Sequence, residues 1–103
     1  MPNKIEEIYK KFFETDQERK DAQIKYLELS KELYKLCEDC INSLYQKDIR
    51  LYVFFINETK KILHCGLFSC CSHKSLSLIT KDLYNETKSS IEKSTGYIVI
   101  WET

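Results

Sequence analysis

The sequence predicts an α+β domain: a long N-terminal helix, which can also be read as two helices, then a β-hairpin, a second helix and a C-terminal strand. Three observations predict it. Apolar residues recur every three or four positions up to about residue 45, and from Arg50 the chain switches to runs of β-forming residues. A return to helical spacing between Leu76 and Ile91 is then followed by five β formers in a row, Tyr97-Ile98-Val99-Ile100-Trp101. The economical arrangement is a three-stranded, mainly antiparallel sheet covered by helices.

At the N-terminus, Ile5, Ile8, Tyr9, Phe12 and Phe13 mark one helix face, and Asn3 followed by Glu6 resembles a capping box. The apolar pattern lapses from Glu14 to Gln23, although the residues there still favour a helix. Two readings fit: a helix that runs on, continuous or slightly bent, or a restart at Thr15 with Glu18 as a second capping box. The first is preferred. The stripe resumes with Leu27, Leu33, Tyr34, Cys37, Cys40, Ile41 and Leu44 and ends near Tyr45.

Arg50 to Ile56 and Lys61 to Phe68 flank the polar turn Asn57-Glu58-Thr59-Lys60, which reads as a hairpin. Both faces of its first strand are apolar. Simple alternation places Leu51, Val53 and Phe55 on one side and Tyr52, Phe54 and Ile56 on the other. Leu76, Ile79, Thr80, Leu83, Thr87 and Ile91 share one side of the later helix, and Gly96 stands where a C-terminal cap takes positive φ.

With 103 residues the chain has room for one domain, residues 1–103, and 43% hydrophobic content is ample for its core. Sixteen basic residues balance sixteen acidic ones. The basic footprint expected of a nucleic-acid binder is missing, so nucleic acid is a disfavoured partner. There is no apolar run of membrane-spanning length and no leader-like start, which places the chain in the cytoplasm with no membrane partner. One Ala against many Lys, Glu, Ile, Leu and Tyr looks like AT-rich coding; that would suit a virus, phage or mobile element, and equally a chromosomal gene of an AT-rich host.

Five Cys and two His lie between positions 37 and 73. Cys37 and Cys40 share a helix face at i and i+3, and Cys70, Cys71 or His73 could complete a tetrahedral zinc site. The alternative is packing: Cys37 and Cys40 fall on the apolar stripe and Cys65 shares parity with Leu63 and Leu67, where a free thiol behaves as a small hydrophobe. Packing is preferred, so no cofactor and no metal are expected, with zinc as the alternative. A nucleophile drawn from Cys70 or Cys71 with His73 or His64 lacks any supporting context. No phosphate-binding loop, dinucleotide fingerprint or metalloprotease helix is present, so no catalytic residue is assigned and the chain is not expected to be an enzyme.

The strands carry more apolar surface than a lone three-stranded sheet with two helices can hide. Tyr52, Phe54, Ile56, Tyr97 and Trp101 are therefore candidate interaction residues. The reading that follows is a small non-enzymatic protein-interaction module, self-associating as a homodimer through the sheet or the long helix and binding a larger protein partner. The alternative is a zinc-stabilised nucleic-acid-binding module that uses the Cys/His cluster and strand aromatics.

Overall fold

The computed structural model describes residues 4–69 and 79–102. In chain order the elements are α1 (Lys4–Tyr9), α2 (Asp16–Lys25), α3 (Leu27–Leu36), α4 (Glu38–Gln46), β1 (Ile49–Asn57), β2 (Ile62–Ser69), α5 (Lys81–Thr95) and β3 (Ile98–Trp101). The α+β class and the order of helix, hairpin, helix and strand are as the sequence predicts.

The N-terminal helix is not continuous. α1 stops at Tyr9, and Thr15 restarts the chain as α2: its hydroxyl accepts a hydrogen bond from the Glu18 N–H at 3.1 Å. The Glu18 carboxylate in turn accepts from the Glu14 N–H at 3.3 Å. The restart at Thr15 thus prevails over the running helix that the composition favours. The polar stretch after Phe13 offers the sheet no apolar face to hold a straight helix against it. Further breaks fall at Tyr26 (φ −95°, ψ 8°) and Cys37 (φ −113°, ψ 26°). No Pro or Gly marks either, and both side chains pack into the main core. The rod of α2, α3 and α4 thus changes direction where it is anchored, as helices do when they wrap a core.

α5 begins at Lys81, later than the helical spacing suggests. Thr80 is its N-cap, accepting from the Leu83 N–H at 3.1 Å, so Ile79 and Thr80 precede the helix; Leu76 lies outside the described residues. Gly96 closes α5 with φ +78°, and its N–H donates to the Glu92 carbonyl at 2.9 Å. That left-handed conformation is why glycine stands there.

The sheet order is β1-β2-β3. The hairpin is antiparallel, with Leu51 opposite Leu67, Val53 opposite Cys65 and Ile56 opposite Leu63. Asn57 Oδ1 accepts from the Lys60 N–H at 3.0 Å and tightens the turn. β3 joins β2 in parallel, Leu63 beside Val99 and Cys65 beside Trp101. The sheet is therefore mixed, because α5 carries the chain back as a crossover connection and a strand delivered that way runs parallel.

A bulge interrupts β1 between Val53 and Phe55. It puts Phe54 and Phe55 on the same side as Tyr52, since Phe55 pairs with His64 while Ile56 pairs with Leu63. Simple alternation separates Phe55 from Phe54 and groups Ile56 with Tyr52; the structure does the reverse. One inserted residue reverses the parity of everything after it.

Both faces of the sheet are consequently used. On one, Leu33, Cys37 and Leu44 from the rod and Leu83 and Ile91 from α5 pack on Leu51, Ile56, Leu63, Cys65, Leu67 and Val99. On the other, α1 and the turn after it lay aromatics over the hairpin. Tyr9 meets Phe54 edge-on with centroids 5.1 Å apart. Phe12 stacks on Phe55 at 5.2 Å and 3°. Phe68 closes on Tyr52 at 5.3 Å. The N-terminal segment is thus what covers the second apolar face of β1.

Candidate interaction surface

The sequence-predicted interaction residues occupy different depths. Phe54 (4% exposed), Ile56 (3%) and Tyr97 (7%) are buried inside this chain and offer no partner a surface. Their burial follows from the bulge, from the aromatic cover supplied by α1 and from the core packing of Tyr97. Trp101 is half-buried against Tyr84, centroids 5.1 Å apart, and its indole Nε1 is buried with no hydrogen-bond partner among the described residues. Of the five, only Tyr52 faces an open groove, between β1 and the rod.

That groove is built by the rod. Lys31, Tyr34, Lys35, Glu38, Ile41 and Tyr45 line one wall, and Arg50, Leu51 and Tyr52 the other. The Arg50 guanidinium sits 5.8 Å from the Tyr45 ring centroid. The wall residues recur at three-four spacing, which continues toward the N-terminus through Leu27 and Ile24. The single stripe read from the sequence therefore divides. Leu33, Cys37 and Leu44 turn inward, while Ile24, Leu27, Tyr34 and Tyr45 turn outward. Ile24 is 74% exposed and Leu27 50%, and Leu36, on another side of α3, is 58% exposed. α2 buries no residue at all.

The thiols divide in the same way. Cys37, Cys40 and Cys65 are free. Cys37 is buried and its Sγ donates to the Leu33 carbonyl at 3.0 Å; burial, with Cys40 nearby as the smaller cause, pushes its thiol up to about 11. Burial likewise raises Cys65. Raised, protonated thiols make poor nucleophiles and poor metal ligands. Among the described residues no three His, Cys, Asp or Glu side chains group as metal ligands. Cys70, Cys71 and His73, which the zinc alternative needs, lie outside the described residues.

One polar pair carries no signal in the sequence. His64 Nδ1 lies 2.9 Å from Glu102 Oε2, with Lys11 Nζ 3.7 Å from the other carboxylate oxygen and the Phe12 ring 4.9 Å from the imidazole. The two residues are 38 positions apart, and only the parallel placement of β3 beside β2 brings them together. Cys65, next in sequence to His64, belongs to the opposite face and its core. This ties the N-terminal segment to the end of β3.

The main core itself leaves a gap of only about 10 Å³, ringed by Leu33, Cys37, Leu51, Cys65 and Ile91, at the lower limit for one water molecule. Among the described residues no helix is long and apolar enough to cross a membrane. No protein-family model, no curated protein and no solved structure matches the chain.

Proposed function

We propose that the protein is a non-enzymatic protein-interaction module that associates with itself and acts by occupying the surface of a larger protein. The observation that carries this reading is the outward side of the rod. α2 is ten residues long and buries none of them, and helices that short are marginal in water without packing. Yet the rod presents Ile24, Leu27, Tyr34 and Tyr45 to solvent along one side. Large apolar side chains exposed along one side of a helix rod mark association sites.

The chemistry of the interior supports the same reading. The thiols of Cys37 and Cys65 are buried and held protonated, which makes them poor nucleophiles. Sedimentation velocity at increasing micromolar concentration tests self-association. A mass that rises above 12.3 kDa with concentration is expected. A concentration-independent species of 12.3 kDa overturns the proposal.

A further inference from the structure

The seam along the outer side of the rod is self-complementary. Its members, Ile24, Leu27, Lys31, Tyr34, Glu38, Ile41 and Tyr45, alternate spacings of three and four. Those from Lys31 to Tyr45 line one groove despite the break at Cys37, so they share a face. Lys31 and Glu38 are exposed, and neither has an ion-pair partner among the described residues. They cannot serve one another within a chain, because their helical spacing separates them by about 10 Å along the axis.

We propose that a second copy of this chain docks on this seam, antiparallel, with the two-fold axis at Tyr34. The proposal rests on the self-association argued above and specifies its register. Two-fold symmetry demands that if residue i meets residue j, then j meets i. Placing the axis at Tyr34 sets Lys31 of each chain beside the partner's Glu38, twice. The same placement sets Leu27 against the partner's Ile41 and Ile24 against the partner's Tyr45, so apolar groups meet apolar groups on both sides of the axis. A parallel pairing would set Lys31 against Lys31 and Glu38 against Glu38, which like-charge repulsion disfavours. Lys35 stands beside the seam and keeps its ammonium in water.

Charge reversal tests the register. Lys31→Glu and Glu38→Lys are expected each to weaken dimerisation about tenfold or more, since each turns two attractive contacts into two repulsive ones. Two combinations are expected to restore it. In the double variant each chain carries the swapped pair. In a mixture of the two single variants, one chain is acidic at both positions and its partner basic at both, so opposite charges meet twice again. Sedimentation velocity reads all five samples, with circular dichroism confirming that each variant is folded. A wild-type dimer unaffected by either reversal overturns this register and leaves self-association through another face. Weakening that neither the double variant nor the mixture repairs also overturns it. A wild-type monomer overturns both proposals together.

Discussion

The Glu92 carboxylate on α5 accepts a hydrogen bond from the Val99 N–H on β3 at 3.0 Å. Among the described residues β3 has only β2 as a strand neighbour, and Val99 is 1% exposed, so the N–H on its outer side meets no described strand and no open water. The helix that delivers β3 to the sheet also satisfies it. Glu92→Ala should cost about 1–3 kcal/mol, the penalty of a buried unsatisfied donor. Glu92→Gln keeps an acceptor and should cost less. Urea unfolding of the two variants checks this; equal losses would assign the effect to charge, with the Lys88 ammonium 3.9 Å from the carboxylate as the counterion.

The two threonine caps should differ in reach. Thr80 opens α5, which buries Leu83, Thr87 and Ile91, so Thr80→Ala should lower global stability by about 1 kcal/mol. Thr15 opens α2, which buries nothing. Thr15→Ala should therefore speed amide exchange within α2 and leave the global unfolding midpoint nearly unchanged in monomeric protein. A full-sized global loss at Thr15 would mean that α2 is part of the cooperative core.

Burial of the thiols gives stability a defined pH dependence. A cysteine in the unfolded chain loses its proton near about pH 8.5, whereas Cys37 holds its proton up to about 11 and Cys65 is raised as well. Above the unfolded value the native state binds more protons than the unfolded chain, so stability falls as pH rises. The contribution is complete below about pH 8.5 and is lost on the way toward the raised value of about 11. Denaturation midpoints measured across that range should decline, and Cys37→Ala should flatten part of the decline. At neutral pH a dilute alkylating agent should reach Cys40, which is only partly buried, well before Cys37 or Cys65.

Phe12 covers Phe55 and His64 together. Phe12→Ala should cost about 1–3 kcal/mol, less than a fully buried aromatic because Phe12 is only half-buried. It should also increase binding of a hydrophobic dye by uncovering the hairpin. Loss of stability with no gain in dye binding would mean that the rest of the N-terminal segment closes over the gap.

Much of this architecture is legible in the sequence because it depends on local chemistry. The hairpin follows from two β-rich runs about the Asn57 turn, and the end of α5 from Gly96, the residue best suited to φ +78°. The Thr15–Glu18 cap is also visible in the residues, although their helix-forming composition argues for a running helix. The candidate surface is only half legible. The seven-residue spacing of Leu27, Tyr34 and Ile41 is plain in the sequence, but spacing alone does not say which of two adjacent stripes faces the sheet. Leu33, Cys37 and Leu44 take that place, and Leu27, Tyr34 and Tyr45 are left outside.

By itself the sequence determined the class of the fold, the kind of each main element and the apolar character of both faces of β1, because composition and periodicity act over a few neighbouring residues. The tertiary structure decided what covers those faces. The bulge at Phe54 gathers the strand aromatics on one face and turns Ile56 into the core. The parallel docking of β3 brings Glu102 to His64. Both depend on how strands pair across long stretches of chain, where a one-residue change in register exchanges one face for the other.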